Sequence, residues 1–515
     1  MTFAPESVPR ARDLLVHIVP GAFRWSAATR AALAFGIPAA ILTVAGHAEL
    51  AVAVTLGSFS VMFGEGRPYR VRGVIVALAG IGFISAALVG AAVGHSGAPS
   101  IVDVVVLTAV ACTATFVVDA IRFGPPGSFF FVMICGVAML LARHGISIGQ
   151  IVACAVIGSA SSVLVSMAGA MRDATRPETT VTNAAVKAVE VFVTRGEAET
   201  LTDRHNVATA LMAARTALRD ARALDSGLLA QLDAAQRQWA VSIARIADGD
   251  VDNGAVDWER ASLGFRLRRA LYLDSHATVT TLRLMVGCLI SGSVAVVAGL
   301  GRPDWAIYAT VLILNQGLDR VRGVVRSLHR LVGTLGGVLF FAALHQLAPT
   351  GLALIGVLLV LQFVVELFVA RNYGIAVFFI TPLALLIGDS AHPHGSITTL
   401  VGERVVETIV GVAVATVCFW VTFPRAHRRI LLWTDRRVLE SARECDVRQL
   451  GELHFEIAGS MRAGIDAMFN EREWTIAQWP RHAAIDDLGF RVLALGTVAP
   501  ALMAELRAEA ERLRA

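Results

Sequence analysis

Apolar and charged stretches alternate along this chain on a scale of about a hundred residues. Residues 30–170 and 278–423 are strongly apolar, whereas residues 171–277 and 424–515 are rich in Arg, Asp and Glu. A helix that crosses the hydrocarbon of a bilayer needs about 20 mostly apolar residues, and lipid offers no partner to a backbone group outside a helix or closed barrel. Glycines and polar residues cut the first apolar block into six runs, near Arg30–Gly46, Leu50–Gly64, Gly73–Gly94, Ile101–Ala120, Ser128–Ala142 and Ile148–Ala170. The second block divides into six more, near Val279–Gly299, Trp305–Gly317, Leu331–Leu347, Gly351–Val369, Ile375–Ile387 and Thr399–Thr422. Leu50–Gly64, Trp305–Gly317 and Ile375–Ile387 are short for a full crossing and are expected to be tilted partners or half-helices. The pattern predicts an all-α, polytopic membrane protein with two blocks of about six transmembrane helices each. A segment 1–29 precedes the first block, a helical insert 171–277 separates the two, and a helical tail 424–515 follows.

Composition agrees with this reading. Hydrophobic residues make up 55 % of the chain and charged residues 17 %, and mean hydropathy is +0.64, against an apolar share of about 45–50 % in soluble domains. Arginine placement sets an expected topology, because cytoplasmic loops retain an excess of Lys and Arg. Arg67, Arg70, Arg72, Arg122, Arg320, Arg322, Arg326, Arg330, Arg371, Arg425, Arg428 and Arg429 fall in alternate loops, and the opposite loops hold chiefly Arg143 and Arg302. An even number of crossings per block then leaves both termini, the insert and the tail in the cytoplasm. Pro9, Arg10, Arg12 and Asp13 precede the first run where a cleavable signal would need a short apolar core.

The pentapeptide RVRGV occurs at Arg70–Val74 and again at Arg320–Val324. Looser matches place Arg30 over Arg283 and Glu49 over Asp304, so the blocks read as a weak duplication whose copies run parallel. In the second copy, Arg322, Arg326 and Arg330 recur at every fourth residue and share one helical face, with Thr334 a turn further on. Gly333 and Gly337 form G-x-x-x-G, which lets another helix approach closely. Anchoring by positive charge explains Arg320 and Arg322 equally well. Arg326 and Arg330 run on into an apolar span, where a guanidinium wants a carboxylate, a carbonyl or an anionic ligand. Glu366, Glu403, Arg404 and Glu407 also lie within apolar runs and should pair or face a cavity, with Arg404 able to pair with either neighbouring acid. Asp304 and Trp305 sit at the predicted outer interface, where Trp305 reads first as an aromatic anchor.

The stretch PDWAIYATVLILNQGLDRVRGVVRSLHRLVGTLGG, followed by ARNYGIAVFFITPLALL and ERVVETIVG, resembles the fusaric acid resistance (FUSC) and aromatic acid exporter family of bacterial inner-membrane proteins. The plant aluminium-activated malate transporters look like distant relatives. The family's R-x-x-G-T-x-x-G segment is matched by Arg330, Gly333, Thr334 and Gly337. Its N-Y and T-P pairs are matched by Asn372, Tyr373, Thr381 and Pro382, and its closing R-x-x-[DE]-T-x-x-G by Arg404, Glu407, Thr408 and Gly411. The resemblance implies a bacterial plasma-membrane exporter of small, often aromatic, organic acids driven by the proton gradient. On that reading Arg326, Arg330, Thr334, Asn372, Tyr373 and Arg404 bind the anion, and Glu366, Glu407 and Asp304 are the proton-coupling candidates. A passive anion channel and a non-transporting scaffold are the alternatives.

In the insert, Val207, Leu211, Ala214, Leu218 and Ala221 make one apolar stripe, and Leu502, Leu506 and Leu513 make another in the tail, with GDVDNG (249–254) as a turn. Both soluble parts read as helical bundles. Lys187 is the only lysine and no glycine-rich phosphate loop surrounds it, which sets aside a Walker-type nucleotide site. GISIG (145–149) fits a nucleophile-elbow spacing but joins two apolar runs and not a strand and a helix. DSAHPH (389–394) lacks further metal ligands, and the six cysteines are scattered, five of them in apolar runs and Cys445 in the tail. No enzyme activity, cofactor, metal or nucleic-acid partner is expected. The expected partners are a small organic anion and membrane lipid, and the paired glycines leave room for a homo-oligomer.

Overall fold

The computed structural model describes residues 18, 24–124, 126–196, 199–223, 226–244, 259–391, 397–444, 446, 449–498 and 503–514. It is all-helical, with no strand among the described residues. The first membrane block comprises α1 (Trp25–Val44), the broken α2 (Ala48–Met62), α3 (Tyr69–His95), α4 (Ser100–Ala120), α5 (Phe129–Arg143) and α6 (Ile148–Met167). The second comprises α11 (His276–Val297), α12 (Pro303–Leu314), α13 (Arg320–His345), α14 (Gly351–Phe368), α15 (Tyr373–Ala391) and α16 (Ile397–Val421). Eight of these helices are long and apolar enough to cross a membrane, and the four shorter ones are α2, α5, α12 and α15. The short helices therefore stand second and fifth in each block. Val74, Val332, Leu339 and Val417 are among the large exposed apolar side chains that lie off the internal cavity, where lipid is the fitting solvent.

Packing repeats as well as order. Within each block the third helix lies along the fifth, α3 on α5 and α13 on α15, and between blocks α4 packs on α11 while α14 packs on α1. This reciprocal arrangement is the one expected of two copies of a six-helix unit packed side by side. The third-to-fifth contact depends on glycine in both copies. A Cβ on Gly90 would stand 1.9 Å from the Cys135 carbonyl oxygen, and one on Gly337 would stand 2.6 Å from that of Phe378.

Outside the membrane, the insert supplies α7 (Arg176–Arg195), α8 (Leu201–Ala221), α9 (Gly227–Ala244) and the short α10 (Leu263–Ala270). The tail supplies α17 (Ala426–Glu444), α18 (Leu450–Asn470), α19 (Arg472–Val498) and α20 (Met503–Arg514). Insert and tail share one apolar core, in which Phe192, Leu211, Leu218 and Trp239 meet Val438, Leu488 and Phe490. Val207, Leu211, Ala214, Leu218 and Leu506 are buried, Ala221 is half-buried, and Leu513 packs against the core edge. Arg204 of the insert reaches Asp487 of the tail at 2.5 Å. The turn at 249–254, the side chains of 389–394, Leu502 and Cys445 lie outside the described residues. The described cysteines are free. Ser147 of GISIG caps α6: its hydroxyl accepts from the Gln150 N–H at 3.3 Å, while Gln150 Oε1 accepts from the Ser147 N–H at 3.1 Å.

Candidate functional site

The site is built from α13. Asp319 starts this helix by accepting the Arg322 N–H at 3.0 Å, and the helical repeat then turns Arg322, Arg326 and Arg330 to one side. Their surroundings differ with depth. Arg322 is exposed, 3.3 Å from Asp319 and 4.6 Å over the Phe469 ring. Arg326, a turn further in, lies 4.1 Å over the ring of Tyr373. Arg330 stands ~15 Å along the axis from the helix start and is 1 % exposed. Its Nε and Nη1 have no hydrogen-bond partner among the described residues. A buried guanidinium without a counter-charge costs several kcal/mol unless water or an anion meets it.

A cavity of about 2150 Å³ between the two blocks supplies that place. It is larger than the roughly 300–1,000 Å³ of a single small-molecule pocket, and its wall runs from Glu49, Gln150 and Gly351 at one end of the membrane unit to Arg122, His205 and Arg462 at the end facing the bundle. A lining that reaches both ends makes this cavity the candidate passage between the blocks. Arg326, Arg330, Tyr373, Glu366 and Arg404 all lie on its wall. The first block contributes apolar and aromatic surface through Phe59, Phe129, Phe130 and Met133, and Trp305 and Tyr308 of α12 face it from the second block.

The remaining candidates have other surroundings. Thr334 is buried but off the wall; α15 comes so close at Gly333 and Gly337 that it closes the face above Arg330. Asn372 caps α15, its Oδ1 accepting from the Ile375 N–H at 3.1 Å. Asp304 is held bidentately by Arg302 at 3.0 and 2.9 Å, and Glu407 accepts the Arg302 main-chain N–H at 2.7 Å. Arg404 lies 4.8 Å over Trp305, with its Nε unpartnered among the described residues. Glu407 and Asp304 act on it electrostatically, without an ion pair closing among the described residues. Glu366 sits two residues from the end of α14, 2 % exposed and with Oε1 unpartnered among the described residues. Arg24 and Arg30, which also pair with Glu65, act on it electrostatically.

Two features went unread in the sequence. Gln362 is buried and lies on the wall; its position four residues before Glu366 put both on one helical face and was the available signal. The second feature is the cluster Arg122, Arg260, Arg266 and Arg462 at the bundle-side mouth. Its members come from distant parts of the chain, so spacing carried no hint of them.

These features define a polytopic, all-helical integral membrane protein. The pattern of the fusaric acid resistance protein-like family, a family of membrane transport proteins and not of enzymes, matches residues 288–418, and the resemblance read from the residues is borne out over that stretch. The uncharacterized membrane protein YvaC of Bacillus subtilis (strain 168) is 26 % identical over 160 residues, covering 30 % of this chain and 25 % of the relative. The match thus spans about a quarter of that protein's length. No solved structure matches.

Proposed function

We propose that this protein exports small organic anions, aromatic monocarboxylates foremost, through the passage between its two blocks, from the cytoplasm across a bacterial plasma membrane. The observation that carries this reading is Arg330, buried to 99 % on the wall of the passage with two N–H groups unpartnered among the described residues. A guanidinium presents paired donors to a carboxylate in one plane, and in a water-poor site that charge-assisted contact is strong and directional. Arg326, lying over Tyr373, is the preceding cation on the path from the bundle side. The same wall carries Phe129, Phe130 and Tyr308, apolar surface suited to the ring of an aromatic acid. Glu366, buried on the same wall, is the group placed to exchange a proton as an anion passes.

The test is flux of benzoate into proteoliposomes holding the purified protein. Arg330→Gln should lower the rate about 100-fold at equal protein density, the effect of removing one partner of a desolvated charge pair. An unchanged rate would end the reading. One observation favours a second mode of action: the wall of a single cavity reaches both ends of the membrane unit, as a passive anion channel requires. An imposed pH gradient separates the two, since a proton-coupled exporter accumulates benzoate against its own gradient and a channel only equilibrates it.

A further inference from the structure

The bundle-side mouth of the passage holds a second constellation, remote in sequence from Arg330. Arg122 follows α4, Arg260 and Arg266 precede and enter α10, and Arg462 lies on α18, so that membrane unit, insert and tail all contribute. Arg122 turns through a left-handed backbone conformation, φ 46°, and its guanidinium lies 3.6 Å over the Phe455 ring. Arg260 donates to the carbonyls of Ile121 and Arg122 at 3.4 and 3.5 Å. Arg266 is 7 % exposed and also donates to the Ile121 carbonyl, while its Nε has no partner among the described residues.

Two nearby acids are already engaged, Asp220 with Arg67 at 2.9 Å and Glu456 with Arg269 at 2.7 Å. The guanidinium groups consequently press on one another. Burial, with Arg462, Arg266 and Arg260 adding to it, brings Arg122 down to about 9. Burial, with Arg260 and Arg67, brings Arg266 down to about 10. Both stay cationic at neutral pH; burial is the larger cause of the lowering and the neighbouring cations add to it, Glu456 partly offsetting them at Arg122.

We propose that this constellation is a second anion site, distinct from the Arg330 site, for a ligand carrying a dianionic phosphate group, and that the ligand ties insert and tail to the membrane unit. A flat, singly charged carboxylate matches one guanidinium fork. Four guanidinium groups on three parts of the fold match a tetrahedral oxyanion of charge −2, which accepts from several directions at once and relieves their repulsion. The same phosphate chemistry is offered by a soluble phosphomonoester and by an anionic lipid headgroup at the membrane face. The assignment stands independently of what Arg330 binds.

The test uses the full chain in nanodiscs of neutral phosphatidylcholine and reads the thermal unfolding midpoint. Inorganic phosphate and glycerol 3-phosphate are titrated against chloride of equal ionic strength, and a parallel set of discs carries a small fraction of phosphatidic acid. A saturable rise of about 3 °C or more with either phosphate source is expected, and which source produces it identifies the ligand as soluble or lipidic. The rise should vanish in Arg266→Gln and persist in Arg330→Gln. Arg462→Gln serves the same purpose should Arg266→Gln yield no folded protein. No saturable rise from any phosphate probe, or a rise kept in the folded vestibule variant, would overturn the assignment.

Discussion

When the two pentapeptides are superposed, Arg320 falls on Arg70, and Arg326 and Arg330 fall on Val76 and Gly80. The same helix of the same repeated scaffold is thus charged at depth in one half and small and apolar in the other. The neighbours differ accordingly. Val76 is fully buried, and a Cβ on Gly80 would stand 2.9 Å from the Ser159 side chain on α6, so this face of α3 is shut against its own block. The matching face of α13 opens onto the passage and carries Arg330 with unpartnered nitrogens. The two halves share their packing and differ in their chemistry at this face: the third helix of the first half is uncharged at depth, and that of the second carries the buried guanidinium of Arg330. A buried cation here is a mark of function only where the fold withholds its partners.

That last distinction has a control outside the membrane. His482 is 1 % exposed in the bundle, 2.8 Å from Asp435 and 3.4 Å from Asp486, and Ser460 donates to Asp435 at 3.1 Å. Burial alone would lower its pKa, but the two carboxylates overcome this and hold it up at about 9. This cation is satisfied by protein, so its signature should be stability. A folded-state value above the ordinary 6.5 stabilises the bundle fully below pH 6.5, and the contribution drains away as pH climbs through about 9. The thermal midpoint should therefore fall between pH 7 and 10 by an amount worth about 3 kcal/mol. His482→Asn should be less stable at pH 7 and much flatter over that range. A parent protein with no such slope would show that the carboxylates do not hold the proton.

The smaller functional contrast is between counterpart positions. Arg326→Gln removes a cation from the passage and should slow benzoate flux about 10-fold, the value of one charge-assisted contact of ~1.5 kcal/mol. Val76→Ala, its counterpart in the first half, should leave flux per folded molecule within about twofold while costing roughly 1 kcal/mol of stability. Equal losses of flux from the two substitutions would mean that the halves share the chemistry after all.

Much of this scaffold was legible because hydropathy reports lipid contact directly. All twelve apolar runs correspond to helices or to the broken segment Ala48–Met62, in order. The failures are informative. The run beginning at Leu331 belongs to a helix that begins at Arg320: its first eleven residues are helical but too polar to register as a span. Periodicity put Arg326, Arg330 and Thr334 on one face, yet only the arginines reach the passage. How far a face stays open depends on how close the next helix comes, and that lies in the contact of Gly333 and Gly337 with α15. Asn372, a candidate ligand group in the sequence, also caps a helix with its Oδ1, a local role that short polar side chains often fill. The shared core of insert and tail was beyond reach, since each stripe alone is compatible with a separate bundle.

The pentapeptide itself provides the mildest test. Arg72 donates from Nε to the Gly64 carbonyl at 3.2 Å and lies 4.7 Å over Tyr69. Arg320 donates to the carbonyls of Phe419 and Pro424 at 3.0 and 2.7 Å and lies 4.9 Å over Trp420. Neither lies on the wall of the passage. Each ties the bundle-side start of a third helix to backbone oxygens, but from different places in the pentapeptide, since Arg320 matches Arg70 and Arg72 matches Arg322. Arg72→Gln and Arg320→Gln should each cost about 1 to 2 kcal/mol, read as a lower melting midpoint in detergent, because the lost bonds are charge-assisted but partly open to water. Flux per folded molecule should change by less than about twofold in both. A rise in KM for benzoate in Arg320→Gln alone would move that residue from the fastening role to the path of the anion, and would make the charge asymmetry between the halves begin at the first turn of the helix.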